Sequence, residues 1–168
     1  MTTTITLGRE GRAFLMAPLI LFGGGVIVLD QLTKLLVLHY LPLFDVRVII
    51  PGFFNLVHVH NTGAAFSMFA GANSFWRQTF FVVLTVFVLA ILLYVYAKLS
   101  RSDHWTRTAY ALICGGAFGN LIDRLRFGEV IDFLDFYIGT HHWPVFNVAD
   151  SAISVGAFML LISLFKGK

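Results

Sequence analysis

The sequence predicts an integral membrane protein that is mainly α-helical, with four transmembrane helices, a small extracytoplasmic β-sheet and a short interfacial helix. Composition is the first observation, because 58% of the 168 residues are hydrophobic and only 12% are charged. A soluble domain has roughly 45–50% apolar and about 25% charged residues. The second observation is the presence of four apolar stretches, each close to the ~20 residues needed to cross a bilayer. We expect residues 1–168 to form one integral membrane domain.

The four apolar stretches are the predicted spans. They cover about residues 14–38, 75–97, 106–125 and 145–165. Glycines at 23–25 interrupt the first stretch, and glycine is tolerated in a membrane helix where a neighbouring helix packs closely. Arg9 and Arg12 precede this stretch, as in a signal peptide, but no small-residue cleavage site follows it. We therefore expect a retained first span.

The distribution of Lys and Arg predicts the orientation. Basic residues lie before the first span, between the second and third, and after the fourth: Arg9, Arg12, Lys98, Arg101, Arg107, Lys166 and Lys168. The 39–74 loop carries only Arg47. The positive-inside rule then places both termini and the 98–107 loop in the cytoplasm, and the 39–74 and 127–144 loops outside. The net charge of +3 is interpreted as this bias and not as a nucleic-acid-binding patch.

Two segments of the 39–74 loop have strand character. Arg47–Ile50 and Phe54–Asn61 are rich in β-branched and aromatic residues and are bounded by turn residues. Backbone groups at a membrane surface need hydrogen-bond partners, so we expect a small sheet over the helix bundle. Phe66–Phe69 and Phe75–Trp76 are expected at the membrane interface, as an aromatic belt.

Polar residues that interrupt the apolar spans converge at one depth. Under the predicted topology they all lie towards the outer face: Asp30, Lys34, Asn120, Asp123, Arg124, Asn147 and Asp150. A charge at the centre of a membrane helix costs at least about 2.5 kcal/mol, so we interpret the cluster as a functional site. The competing interpretation is structural, since Asp30 and Lys34 have the spacing of an i,i+4 ion pair and Arg124 could tie a loop to the helices.

Three acidic residues with apolar neighbours are the candidates for chemistry. Asp150 lies inside an apolar helix, where the default interpretation of a carboxylate is functional. Asp132 and Asp135 alternate with bulky apolar residues, which raise the pKa of a carboxyl group, and spacing alone does not choose between them. Two close carboxylates share one proton, so that one activates a water while the other donates to the carbonyl under attack. This is aspartyl-protease chemistry, and it needs no metal.

Other chemistries lack their motifs. The sequence has no H-E-x-x-H zinc motif, no G-x-S-x-G nucleophile motif and no glycine-rich phosphate loop. The pairs His58/His60 and His141/His142 have no acidic third ligand at a suitable spacing, so neither a metal nor a cofactor is predicted. Cys114 is the single cysteine, cannot form an intrachain disulfide and is interpreted as a packing residue.

Five sequence blocks resemble the ordered signature of lipoprotein signal peptidases, the signal peptidase II family. The blocks are DQLTK at 30–34, NTGAAFS at 61–67, GNLIDR at 119–124, VIDF at 130–133 and FNVAD at 146–150. One block alone is weak evidence, but five in this order over nearly the whole chain are specific.

The resemblance implies an aspartyl protease of the bacterial inner membrane whose active site faces the outer side. Its expected substrate is a prolipoprotein that carries diacylglycerol on the lipobox cysteine, and it would cut before that cysteine and release the signal peptide. The family motifs make Asp132 and Asp150 the expected catalytic pair, which selects Asp132 over Asp135. The residues expected to bind substrate or support the site are Asn61, Gly63, Gly116, Asn120, Asp123, Arg124, Asn147, Asp30 and Lys34.

The resemblance also implies an outward half-barrel of strands, which matches the strand-like region 46–61. Membrane lipid is an expected partner and nucleic acid is not, and we expect a monomer.

Two other function classes compete with the protease. A small proton-coupled transporter subunit would also hold acids and a lysine in its spans, but its site would lie near the midplane and connect both sides. A structural scaffold with buried ion pairs predicts that Asp150→Asn affects folding and not turnover.

Overall fold

The computed structural model describes residues 16–63 and 74–165, which contain four long helices and four strands. The helices are α1 (Met16–Tyr40), α2 (Ser74–Lys98), α3 (His104–Phe127) and α4 (Val148–Phe165). The strands are β1 (Val46–Ile50), β2 (Phe54–Asn61), β3 (Val130–Ile138) and β4 (His141–His142). They lie in the order β1-β2-β3-β4, with antiparallel neighbours. The two strands predicted in the 39–74 loop are confirmed.

Three helices are long and apolar enough to cross a membrane: Met16–Tyr40, Phe75–Lys98 and Val148–Phe165. The predicted third span, 106–125, lies in α3, which has 24 residues but is less apolar. Helix α3 contacts each of the other three helices and its buried residues include Arg107, Asn120 and Asp123. These polar side chains face protein and not lipid, so they are tolerated there.

Strands β3 and β4 lie inside the predicted 127–144 loop, where the sequence analysis identified no strand. Strand β3 pairs with β2, which is about 70 residues earlier in the chain, with Asp132 opposite Val59 and Val130 opposite Asn61. A pairing at this sequence separation leaves no local turn signal beside β3. The acids in the strand, Asp132 and Asp135, also lower its intrinsic strand propensity.

Helix α4 begins three residues later than the predicted 145–165 span. The backbone N–H and carbonyl of Phe146 both bond to Leu134 of β3, at 3.2 and 2.8 Å, which holds the chain extended up to Asn147. The Phe66–Phe69 part of the predicted aromatic belt lies outside the described residues. Phe75 and Trp76 are exposed at the start of α2. Within 16–63 and 74–165 there is no separate short interfacial helix.

Glycines let the backbones of neighbouring helices approach very closely. A Cβ added to Gly115 of α3 would lie 2.6 Å from the carbonyl oxygen of Gly23, at the end of a π-helical turn in α1. A Cβ on Gly116 would strike the carbonyl oxygen of Ala149 in α4. Helix α3 is therefore packed between α1 and α4 with no room for side chains at these two points.

A buried ion cluster joins α1 to α3. The Nζ of Lys34 lies 2.9 Å from Oδ2 of Asp30 and 2.7 Å from Oδ2 of Asp123, and it donates to Oδ1 of Asn120 at 3.0 Å. The three donors of the ammonium group are thus all used. Lys34, Asp30 and Asp123 are at most 1% exposed. The predicted ion pair between Asp30 and Lys34 is confirmed, and Asp123 extends it across the helix interface.

The close helix contact can be tested with Gly115→Ala. The methyl group meets backbone that cannot move aside, so we expect the melting temperature in detergent to fall by an amount equivalent to about 1–3 kcal/mol. The control is Gly24→Ala, where a Cβ meets nothing within 4 Å. Equal melting temperatures for both variants would contradict the proposed contact.

The ion cluster can be tested with Lys34→Met, which leaves two buried carboxylates without their cation. Breaking a buried pair in this way costs about 3–5 kcal/mol, so the thermal melt should shift strongly to lower temperature. Arg101→Met, in the exposed turn between α2 and α3, should change stability by less than about 0.5 kcal/mol. Similar melts for the two variants would show that the cluster contributes no net stability.

Candidate active site

Asp132 lies in β3, and both of its carboxylate oxygens are held by amide groups. Oδ1 accepts a hydrogen bond from Nδ2 of Asn147 at 2.7 Å, and Oδ2 accepts one from Nδ2 of Asn61 at 2.9 Å. Asn61 ends β2, opposite Val130, so it lies on the same face of the sheet as Asp132. Asp132 is 2% exposed, and its orientation is therefore determined by these two partners.

Asp150 lies in the first turn of α4 and takes part in a reciprocal cap. The backbone N–H of Asp150 donates to Oδ1 of Asn147 at 2.9 Å, and the backbone N–H of Asn147 donates to Oδ2 of Asp150 at 3.3 Å. This is the arrangement of a capping box. Its other carboxylate oxygen, Oδ1, accepts from Nδ2 of Asn120 at 2.7 Å. The positive end of the helix dipole favours a negative charge at this position.

Asn147 brings the two acids into one site. Its side chain donates to the carboxylate of Asp132 and accepts from the backbone of Asp150, and it also donates to Oδ1 of Asn120 at 3.2 Å. Asn147 is fully buried. One amide thus links the carboxylate of Asp132 on a strand to the backbone of Asp150 in the first turn of a helix.

The pKa of Asp132 is raised to about 6, mainly by burial and to a smaller extent by the negative charge of Asp150. The hydrogen bonds from Asn61 and Asn147 and the charge of Lys34 act against this rise. Asp132 therefore exchanges its proton near neutral pH. A pair of carboxylates in which one keeps its proton can act as acid and base at the same time.

The ion cluster described above also positions the two acids. Oδ1 of Asp30 accepts from the backbone N–H of Ala149 at 3.0 Å, one residue before Asp150. Oδ2 of Asp123 accepts from the backbone N–H of Ile131 at 3.2 Å, one residue before Asp132. Each acid of the cluster therefore holds the backbone beside one acid of the site.

Two contributors were not among the predicted site residues. Nε2 of Gln31 donates to Oδ1 of Asp123 at 2.9 Å and to the carbonyl of Gly119 at 3.2 Å. A Cβ on Gly119 would lie 2.6 Å from Oδ2 of Asp30. Both residues stand inside sequence blocks noted above, and a polar residue next to Asp30 in an apolar helix was the available signal for Gln31.

The two predicted glycines have structural roles beside the acids. Gly63 has a φ of +79°, a conformation that favours glycine, and its N–H donates to Oδ1 of Asn61 at 2.8 Å. Gly116 allows the contact with Ala149 that sets the depth of α4 against α3. Gly63 thus orients Asn61, and Gly116 positions the turn that carries Asp150.

Arg124 adds a second positive charge near the acids, besides that of Lys34. Its guanidinium lies 5.6 Å from the centre of the Phe81 ring and interacts electrostatically with Asp150, Asp123 and Asp132. The carbonyl of Arg124 accepts from Nε2 of Gln78 at 3.0 Å, which attaches the end of α3 to α2.

Asp135 lies in a different environment from Asp132. Its Oδ2 accepts from Nδ2 of Asn55 at 2.8 Å, and its Oδ1 lies 2.7 Å from Nδ1 of His142. An odd offset of three positions along a strand directs the two side chains to opposite faces. The acid that sequence spacing left open therefore connects β2 to β4 and does not meet Asp150.

A cavity of about 460 Å³ opens beside Asp150. Its lining comes from the segment before α4 and from one face of α4: Trp143, Pro144, Val145, Phe146, Asp150, Ser151, Ser154 and Val155. Most of this wall is apolar, so the cavity suits a hydrophobic group next to the acids. Among the described residues, no group of three or more His, Cys, Asp or Glu could hold a metal ion.

Comparison with known proteins gives concordant results. The family model described as signal peptidase (SPase) II matches residues 23–166. The chain is 46% identical over 142 residues to the lipoprotein signal peptidase of Maridesulfovibrio salexigens, covering 84% of this chain and 91% of that protein. It is 41% identical over 167 residues to the lipoprotein signal peptidase of Vibrio cholerae, covering 99% and 94%.

The fold agrees with the sequence comparison. A solved structure described as a bacterial membrane enzyme, determined by the in meso method, matches with a TM-score of 0.81 at 34% identity, and the match covers 91% of this chain and 96% of that one. None of these matches supports the proton-coupled transporter. The family model spans both acids, the relatives cover more than four fifths of the chain, and the fold matches as well. The chain therefore belongs to the signal peptidase II family of membrane proteases.

Proposed function

We propose that the protein is an aspartyl endopeptidase that removes the signal peptide from diacylglyceryl-modified prolipoproteins, cutting before the lipid-modified cysteine. Asp132 and Asp150 are the catalytic pair. The observation that carries the proposal is the side chain of Asn147, which bonds to the carboxylate of Asp132 and caps the helix turn of Asp150. The names of the relatives, lipoprotein signal peptidase, supply the substrate class.

The mechanism follows from the different environments of the two acids. Burial raises the pKa of Asp132 to about 6, so we assign the shared proton to Asp132 and the role of base to Asp150, in the first turn of α4. Asp150 removes a proton from water, whose oxygen attacks the scissile carbonyl carbon, and Asp132 donates its proton to the carbonyl oxygen. When the tetrahedral intermediate collapses, Asp150 gives its proton to the leaving amine and Asp132 recovers one from the intermediate.

The surroundings of the acids fit a lipid-modified substrate. The cavity beside Asp150 is lined mainly by apolar side chains and would hold a hydrophobic part of the precursor. We assign Arg124 to the carbonyl oxygens of the substrate backbone, because its guanidinium lies among the acids of the site. Asn61 supports Asp132 through the hydrogen bond to its Oδ2.

We place the protein in the bacterial inner membrane as a multi-pass monomer of one domain over residues 1–168, with four spans, both termini cytoplasmic and the acids towards the outer side. The support is the apolar character of three helices and the distribution of Lys and Arg. The scissile bond of a lipid-anchored precursor lies near the outer interface, where membrane lipid and water are both present.

The catalytic pair can be tested by cleavage of a diacylglyceryl-modified precursor with purified protein. Asp132→Asn and Asp150→Asn keep the shape of each side chain but cannot exchange the proton, so we expect the rate to fall by at least about 10²–10⁴-fold. Asp135→Asn is the matched control on the same strand and should cleave at close to the wild-type rate. A chelator should leave the wild-type rate unchanged.

Thermal melts of the same variants distinguish loss of chemistry from loss of folding. If Asp150→Asn cleaves normally, the dyad is wrong. If it is inactive only because it does not fold, the scaffold interpretation of the buried acids gains support instead.

The raised pKa of Asp132 predicts how stability depends on pH. Its pKa is about 6 in the folded protein against an ordinary value of 3.8, so between these values the folded state binds a proton that the unfolded state does not. This contribution is complete below about pH 4 and is lost as the pH rises through about 6. It amounts to roughly 3 kcal/mol or less, at 1.36 kcal/mol for each pKa unit.

Asp132→Asn cannot titrate at this position and should lack this dependence. We therefore expect the melting temperature of the wild type to fall relative to that of the variant as the pH rises from 4 to 7. Parallel curves for the two proteins would contradict a raised pKa at Asp132.

A further inference from the structure

Two histidines of β2 form a chain of hydrogen bonds that the proposed mechanism does not use. Nδ1 of His58 lies 2.8 Å from the carbonyl oxygen of Leu41. Nε2 of His58 lies 3.2 Å from Nε2 of His60, and Nδ1 of His60 lies 3.1 Å from Oε2 of Glu129. His58 is 5% exposed, whereas the side chains of His60 and Glu129 are 27% and 32% exposed.

The number of protons in this chain follows from the partners. A carbonyl oxygen only accepts, so Nδ1 of His58 carries a proton. An ionised carboxylate also only accepts, so Nδ1 of His60 carries a proton as well. If both rings were neutral, neither Nε2 atom would carry a proton, and their lone pairs would face each other across the 3.2 Å between these atoms. One further proton between the Nε2 atoms is needed to make the third hydrogen bond, and the pair of rings then carries one positive charge.

Glu129 is the counter-ion of this charge. Its Oε2 lies 3.1 Å from Nδ1 of His60, so the carboxylate is in direct contact with one of the two rings. The strands paired with β2 carry Arg47 in β1 and Asp132 and Asp135 in β3. Asp45 lies between α1 and β1, and its backbone carbonyl accepts from the N–H of His58 at 3.3 Å. The carboxylate of Asp45 accepts from the N–H of Val46 at 2.9 Å. Glu129 is therefore the acid that bonds directly to the ring of His60.

The chain of hydrogen bonds lies near the end of β2, where Asn61 donates to Asp132. Leu41 follows α1, Glu129 lies in the turn between α3 and β3, and His60 immediately precedes Asn61. His60 is opposite Ile131 and Asn61 is opposite Val130. The charged pair therefore ties three parts of the chain together at the residue that donates to Oδ2 of Asp132.

We propose that His58 and His60 share one proton, with Glu129 as counter-ion, and that His60 is thereby a positioning residue for Asn61 and Asp132. Loss of the proton removes the bond between the rings or the bond to Glu129, and the end of β2 is then held at fewer points. The consequence for cleavage rests on the proposed function, whereas the shared proton does not.

The protonation state can be measured by ¹⁵N NMR of the histidine rings in the full chain in detergent, with signals assigned by single substitutions. At pH 7 we expect the His58–His60 pair to carry three ring protons, and His60→Gln to abolish this signature. Glu129→Gln keeps the shape of the carboxylate but removes its charge, so the extra proton should be largely lost at the same pH. His142→Gln, which alters the other histidine–acid pair of the sheet, should leave the signature intact. Two neutral rings in the wild type would overturn the proposal.

The positioning role is tested by kinetics with the diacylglyceryl-modified precursor. For Glu129→Gln we expect kcat per folded molecule to fall about tenfold with KM within about twofold of the wild type, because the acid and not the substrate is displaced. Glu129→Asp should recover part of the loss, and His142→Gln should match the wild type. An unchanged kcat for Glu129→Gln would overturn the positioning role. The NMR measurement uses no substrate, so a wild type that cleaves nothing would count against the proposed function alone.

Discussion

The ammonium group of Lys34, buried between α1 and α3, is the interaction on which the arrangement of the site depends. It bonds to Asp30, Asp123 and Asn120, and each of these partners has a second bond that reaches the site. Asp30 and Asp123 hold the backbone just before the two proposed catalytic acids, and Asn120 donates to Asp150 itself. The buried charge of Lys34 thus helps to orient β3 and α4, the two elements that carry the acids.

The position of this cluster explains why α3 can be polar within a membrane protein. The helix is surrounded by the other three, and glycines at 115 and 116 allow α1 and α4 to approach its backbone. Its amides and carboxylates meet protein groups and not lipid, and hydrogen bonding offsets the cost of their burial. Helices α1, α2 and α4 carry most of the exposed apolar residues, and their exposed side chains are mostly aliphatic or aromatic.

Much of the fold could be predicted because its signals are local. Apolar length predicted the helices, and β-branched runs predicted β1 and β2. The strands inside 127–144 were not predicted, and α4 begins three residues after the start of the approximate span; both differences have one cause. Strand β3 exists through its pairing with β2, and Phe146 is extended because it bonds to Leu134. Such partners are distant in sequence, so no local sequence pattern predicts these pairings.

The sequence by itself determined the chemical inventory, which is a membrane chain with buried acids, one intramembrane lysine and a set of asparagines, together with the blocks that resemble signal peptidase II. It could not choose between Asp132 and Asp135 on spacing. Tertiary structure gives the two acids different partners, because strand alternation directs Asp132 to Asn61 and Asn147 and leaves Asp135 with Asn55 and His142. The bridging role of Asn147 and the support from Gln31 were likewise decided only in three dimensions, since each joins residues from elements that the chain separates.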